Sequence, residues 1–188
     1  MSEAISTSQT AAGTEVWEID PAHSQADFAV RHMMISTVRG RFRKMTGKLV
    51  GSPDRPDQAS VELSIDVNSI DTAEPQRDQH LRSADFFDAE HHPTLDFKSR
   101  RIEPVGEGRY KVTGDLTMRG VTREVTVDVT FEGRVKDPWG NERVGFSAET
   151  RLNRKDWGLN WNAILEAGGV VVGDEVRVNV QTEFVRKS

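Results

Sequence analysis

The sequence predicts an all-β, antiparallel domain interrupted by one short helical insert. Two observations lead there. Apolar and polar residues alternate with a period of two in run after run, the pattern of strands that bury one face and wet the other. One charged block, Arg77-Asp-Gln-His-Leu-Arg-Ser-Ala-Asp-Phe-Phe-Asp88, breaks that alternation and reads as helical.

The first clear runs lie near Gln25–Arg31 and over Thr37–Gly51. The second changes parity, since Val38 and Phe42 are even while Met45 and Leu49 are odd. A bulge near Lys44 would bend a long strand in this way. Gly51-Ser-Pro-Asp-Arg-Pro56 is turn chemistry, and Val61, Leu63, Ile65 and Val67 then share one face. A helix of a few turns fits Pro75–Ser83, with Pro75 tolerated in its first turn and Asp78 spaced to pair with Arg82. Strands follow at Thr94–Ile102 and Arg109–Met118, separated by Gly106-Glu-Gly108. Arg119-Gly120 is a two-residue hairpin candidate. Val125, Val127, Val129 and Phe131 form the next apolar face, and Asp137-Pro-Trp-Gly-Asn141 the next turn. Val144, Phe146, Ala148 and Leu152 share a parity, as do Val176, Val178, Val180 and Phe184. Between these two runs, Asn162–Gly169 reads as a flexible connection whose two glycines would let a lid move. Eight or so one-sided strands must cover their apolar face, and a two-sheet sandwich or a closed barrel would do so.

At 188 residues the chain suits one domain, expected over 16–186 behind a polar, disordered tail at 1–15. The absence of cysteine excludes disulfides, thiolate metal sites and iron–sulfur clusters. A net charge of −5 argues against general affinity for nucleic acid. No signal-like or membrane-spanning apolar run is present, so a cytoplasmic location is expected.

The residues that invite chemistry have plainer readings beside them. His23-Ser24 would face opposite sides of a strand, and no Gly-x-Ser-x-Gly elbow exists. His23, His32, His80, His91 and His92 lack metal-ligand spacing, and His91-His92-Pro93 reads as a polar turn. Arg39, Arg41 and Arg43 share one face, either a solvated outer wall or an attraction for anionic head groups. Phe86-Phe87 and Trp157-Gly-Leu-Asn-Trp161 either plug a barrel end or line the entry for an apolar tail.

Several motifs, in order, resemble the YceI-like family. Trp17-Glu-Ile-Asp-Pro-Ala-His-Ser24 with Phe28 and His32 is similar to its first strand, and Gly40-Arg-Phe42 with Gly47 to its next. Arg77, Asp78, His80, Leu81, Ser83, Asp85, Phe86 and Phe87, followed by Pro93 and Phe97, match the family's signature block. Gly114-Asp-Leu116 and Gly120-Val-Thr122 resemble the central hairpin. Arg154-Lys-Asp-Trp-Gly158 resembles a later segment, with Trp157 where the family has Phe.

That resemblance implies an eight-stranded antiparallel lipocalin-like barrel with a short helical insert near residues 74–88. It implies non-enzymatic binding, transport or storage of a long apolar ligand: a polyisoprenoid, an isoprenoid quinone or a related lipid. No cofactor, metal, nucleic acid or membrane span is implied, and a homodimer is among the assemblies it allows. Burial is worth about 0.8 kcal/mol per methylene, so one isoprene unit contributes roughly 3–4 kcal/mol before ordering costs. The expected inward sets are Phe28 and Val30, Val38 and Phe42, Leu63 and Ile65, and Leu95 and Phe97. Leu81, Phe86, Phe87, Trp157 and Trp161 are expected at the mouth, with His32 and Arg154 meeting the ligand's head. The alternatives are an enzyme acting on a lipid or small electrophile through His23, His32 or His80 with Asp85, and an interaction or stress-response module with an incidental cavity.

Overall fold

The computed structural model describes residues 14–52, 54–163 and 169–187. Residues 1–13 of the expected tail therefore lie outside the described residues, as does most of the proposed lid. Glu15 is tied in: its carboxylate accepts a hydrogen bond from Trp17 Nε1 at 3.0 Å.

The strands are β1 (Val16–Ile19), β2 (Gln25–His32), β3 (Ser36–Phe42), β4 (Met45–Val50), β5 (Ser60–Asp66), β6 (Ile70–Asp71), β7 (Thr94–Gly106), β8 (Arg109–Met118), β9 (Val121–Lys136), β10 (Glu142–Asn153) and β11 (Val172–Lys187). All pair antiparallel, in the order β1-β4-β5-β7-β8-β9-β10-β11-β2-β3-β6. β1 also pairs with β11, Val16 opposite Lys187 and Ile19 opposite Phe184, and this closes a barrel of eight strands.

The other three strands continue the first three passes of the chain. β1 runs into β2 through a tight 3-10 turn, Pro21–His23, capped by the Asp20 carboxylate on Ala22 N. β3 runs into β4 across Arg43–Lys44, and β5 into β6 across a 3-10 turn, Val67–Ser69. The last two breaks are knitted together. Arg43 N donates to Ser69 O at 3.2 Å, and Lys44 N to Ser69 Oγ at 3.1 Å. The parity change at Lys44 is thus a two-residue strand break rather than a single-residue bulge. Each break lets one pass bend while its hydrogen bonds are handed to a neighbour.

The turns sort the loops to two ends. The near end holds the 51–59 loop, the Glu107-Gly108 hairpin and the 137–141 turn. The far end holds the 33–35 hairpin, the insert after β6, the Arg119-Gly120 hairpin and the segment between β10 and β11. Arg119 and Gly120 have φ of +50° and +73°, as a type I′ turn requires.

The near end is plugged by Trp17, which is wholly buried, with the Arg134 guanidinium 5.2 Å from its ring centroid. At the far end β6 pairs with β3 alone, and the insert stands beside it. Helix α1 (Pro75–Arg82) begins with Pro75 at its first position and Glu74 as N-cap. Leu81 is its one residue packed on the core, so an apolar stripe does not hold the helix. Its root does: buried Asp78 accepts from Thr72 N at 2.9 Å and from Thr72 Oγ1 at 2.5 Å. The expected Asp78–Arg82 surface pair is corrected here, because the carboxylate turns inward to satisfy the backbone bend that launches the helix.

Candidate functional site

Inside the barrel is a cavity of about 180 Å³. Leu63, Ile65, Leu95 and Phe97 line one side, and Phe146, Ala148 and Val180 the other. The few lining residues with polar side chains are Tyr110, Glu149, Thr150 and Thr182. Period-2 patterning puts these apolar residues on one face of each strand, and closure points that face inward. A void of roughly 150 Å³ stays dry and takes benzene, so this one holds about one five-carbon unit. Longer tails require the lining to shift.

A larger, open groove of about 1200 Å³ crosses the outer wall of β2, β3 and β11. Its walls mix Arg39, Arg41, Arg151 and Arg177 with Asp27, Asp128 and Glu149. Arg43 pairs with Asp71 at 2.6 Å, and Arg41 reaches Asp27 only at 4.0 Å. Exposed pairs of this kind contribute about 0–1 kcal/mol. These arginines lie on the outer wall, and the apolar cavity inside the barrel is the candidate site.

The far end is capped by aromatic side chains from two segments. The His80 ring sits edge-on to Phe86 and to Trp161, with centroids 5.1 Å and 4.6 Å away, and Phe86 packs on Trp161 at 5.4 Å. His80 Nε2 lies 2.8 Å from Asp85. Arg119 ties the two segments together, its Nη1 donating to Gly158 O and its Nη2 to Ala84 O, both at 2.7 Å. Only its hairpin dipeptide marked Arg119 in the sequence; its bridging role depends on loops 35 and 39 residues away.

The expected site residues divide into groups. Leu63, Ile65 and Phe97 line the cavity. Phe28 and Phe42 face inward but fill space, their rings 5.6 Å apart, with Phe42 edge-on to Phe87 at 5.8 Å. Val30 and Val38 oppose one another across β2 and β3 and remain half-buried toward the far end. His32 closes β2 there, opposite Ser36 and Val172. Leu81, Phe86 and Phe87 belong to the cap. Trp161 joins them, whereas Trp157 is a plug, 2% exposed, donating Nε1–H to Leu116 O at 2.9 Å.

Arg154 is placed differently from the expectation that it meets a ligand's head. It is 5% exposed and donates to the carbonyls of Leu159 (2.5 Å), Trp161 (2.9 Å), Gly173 (2.9 Å) and Val172 (3.4 Å). Burial lowers its pKa, opposed by the charge of Asp174. Its donors satisfy buried backbone acceptors, so it holds the β10–β11 segment in place. The cavity residues that sequence reasoning left out, such as Phe146, Ala148 and Val180, lie on the parities already read for β10 and β11. What was missing was their distance from Leu63 and Phe97, which only closure sets.

The polar candidates elsewhere are accounted for. Ser24 Oγ is 7% exposed and accepts from Glu183 N at 3.0 Å. Asp20, His23 and Glu183 are the group close enough to share a cation among the described residues. Arg143 already stands among them, 2.7 Å from Asp20 and 2.9 Å from Glu183. The His23 and Arg143 hydrogen bonds hold the Asp20 carboxyl down to about 2. Among the described residues, no helix is long and apolar enough to cross a membrane.

A closed eight-stranded antiparallel barrel with an apolar interior defines a lipocalin-like fold. The chain matches the YceI-like domain over residues 17–184 and belongs to that family. It is 40% identical over 138 residues to a UPF0312 protein of Vibrio cholerae serotype O1, covering 73% of each chain. It is 36% identical over 169 residues to a UPF0312 protein of Staphylococcus epidermidis, covering 89% of this chain and 96% of that one. Burkholderia cenocepacia BcnA superposes with a TM-score of 0.77 at 26% identity, over 88% of this chain and 98% of its own. A polyisoprenoid binding domain from Saccharophagus degradans, implicated in plant cell wall breakdown, shares the fold with a TM-score of 0.69 at 17% identity, over 91% and 98%.

Proposed function

We propose that this protein binds a long apolar ligand, a polyisoprenoid, isoprenoid quinone or related lipid, inside the barrel without chemically altering it. The observation that carries this reading is the cavity inside the barrel, lined almost wholly by apolar side chains. A void left in a core costs stability, roughly 24 cal/mol per Å³, and a guest's tail recovers it. A polyisoprenoid binding domain from Saccharophagus degradans shares this fold, which is consistent with such a guest. Carriage or storage is the role we assign to such binding. The test is mass spectrometry of the natively purified protein before and after organic extraction. A stoichiometric isoprenoid or fatty-chain species is expected; an empty protein that also ignores added polyprenyl lipids refutes the reading.

One observation favours a second reading. His80 and Asp85, at 2.8 Å beside Phe86 and Trp161, form an acid–base pair at the cap. An enzyme using it would show turnover that stops in His80→Ala and in Asp85→Asn.

A further inference from the structure

The β2–β3 hairpin presents apolar side chains to solvent at the far end. Met33, Met34 and Ile35 are 41%, 62% and 82% exposed. The turn closes through Ile35 N donating to His32 O at 3.2 Å, with Met33 and Met34 both at positive φ, +50° and +63°. That is type I′ geometry, which asks for Asn-Gly. Methionine pays in strain for a backbone that glycine adopts freely, and exposed apolar side chains add nothing to folding. A strained turn and apolar side chains that contribute nothing to the fold coincide at one point.

The tip is also tied to its neighbours. Arg31 Nη2 donates to Met34 O at 2.9 Å and Arg31 Nη1 to Thr37 Oγ1 at 3.2 Å. Met33 N donates to Val171 O at 2.7 Å, joining the tip to the segment that follows the Trp161 cap. A Cβ on Gly169 would come within 2.5 Å of Met34 Sδ, so Gly169 fits closely against the tip.

Charge decides what the tip faces. In a chain of net charge −5, no Asp or Glu occurs from Phe28 to Pro53, while Arg31, Arg39, Arg41, Arg43, Lys44 and Lys48 all do. Arg31 and Arg39, the two nearest the tip, are exposed, and neither is among the ion pairs of the described residues. The acidic neighbours on β11 are already engaged, Asp174 with Lys155 at 3.4 Å and Glu175 with Arg151 at 3.6 Å. An apolar hairpin tip flanked by Arg31 and Arg39 therefore has the chemistry of a peripheral anchor in an anionic bilayer.

We propose that Met33, Met34 and Ile35 insert into the interface of an anionic lipid membrane, with Arg31 and Arg39 on its phosphates. This deepens the carrier reading and rests on it for purpose, since a lipid cargo must leave and enter a bilayer. The tip lies at the barrel end that bears the aromatic cap, so docking would bring that end to the lipid.

Cosedimentation of the full chain with vesicles of equal phosphatidylglycerol and phosphatidylcholine tests it, against pure phosphatidylcholine. The decisive variant is Met33→Asn with Met34→Gly, which suits the turn and should fold at least as well as the parent. The parent should bind the anionic vesicles and release them in high salt. The double variant, and separately Arg39→Glu, should lose at least ten-fold in affinity. A parent that fails to bind, or a double variant that binds like the parent, overturns the proposal. So does a parent that ignores vesicles but self-associates through the tip, which would make the hairpin a contact between copies. Lipid content of the same preparations keeps the two readings apart. An empty barrel that still docks removes the cargo and leaves the membrane contact standing.

Discussion

Filling the cavity should stabilise the empty barrel while destroying its binding, the reverse of what core mutations usually do. Ala148 lines the void, and its register partners Val129 and Val180 line it too. At roughly 24 cal/mol per Å³, a void of about 180 Å³ leaves about 4 kcal/mol of packing unrealised. Ala148→Leu adds three carbons, worth about 2.4 kcal/mol of transfer at ~0.8 kcal/mol each. Repacking strain takes back about 1–2 kcal/mol, so the net gain is about 1 kcal/mol, or ~2–4 °C in a domain of this size. The same carbons occupy the space for one tail unit, so affinity should fall at least ten-fold, about 1.4 kcal/mol. Calorimetry of the delipidated protein reads the first effect, and titration with a fluorescent polyprenyl probe the second. A variant destabilised by more than about 1 kcal/mol would show that no usable void exists. A stable variant that binds the probe like the parent would show that the ligand lies elsewhere.

The remaining expectations concern the cap, the wall and acid stability. Arg154→Met leaves buried carbonyls of the β10–β11 segment without donors and should cost about 3 kcal/mol in urea unfolding, with loss of probe binding. Gly114→Ala would drive a Cβ against Lys98 O and the Phe97 ring; a cost of about 2 kcal/mol should accompany weaker probe binding as Phe97 is pushed aside. Acid stability should depend on Arg143. The carboxyl of Asp20 is held at about 2, chiefly by the His23 and then the Arg143 hydrogen bond, and Asp137 is lowered chiefly by Arg143. Depressed carboxyls stabilise the fold above their unfolded values, roughly pH 4, and this contribution drains away as pH falls toward 2 for Asp20. His23 has a raised pKa, first through its hydrogen bond to Asp20, so its share is full below about pH 6.5 and fades above. Arg143→Gln should therefore unfold at higher pH in an acid titration followed by circular dichroism; an unchanged midpoint would discount the cluster.

Much of this protein is legible in its sequence because the information is local. Alternation assigns Leu63, Ile65 and Phe97 to an inner face, since successive strand side chains point oppositely whatever the partner strand is. Arg119-Gly120 announces its hairpin through the glycine, whereas Met33-Met34 adopts the same turn without any residue that signals it. The charged block at Arg77–Asp88 marks the insert, although only the fold turns Asp78 onto Thr72 instead of Arg82.

By itself, the sequence determined which residues are apolar on which face, where the chain turns and that one helix interrupts the strands. Tertiary structure decided that β1 meets β11 and closes a barrel rather than a sandwich. It decided that Phe28 and Phe42 fill the core while Phe146 and Ala148 border the void, and that Arg154 is consumed by carbonyls instead of facing a ligand. The physical reason is range. Strand periodicity is set by backbone geometry within a few residues, but ring closure and free volume arise from contacts between residues far apart in the chain, and no local pattern encodes their distance.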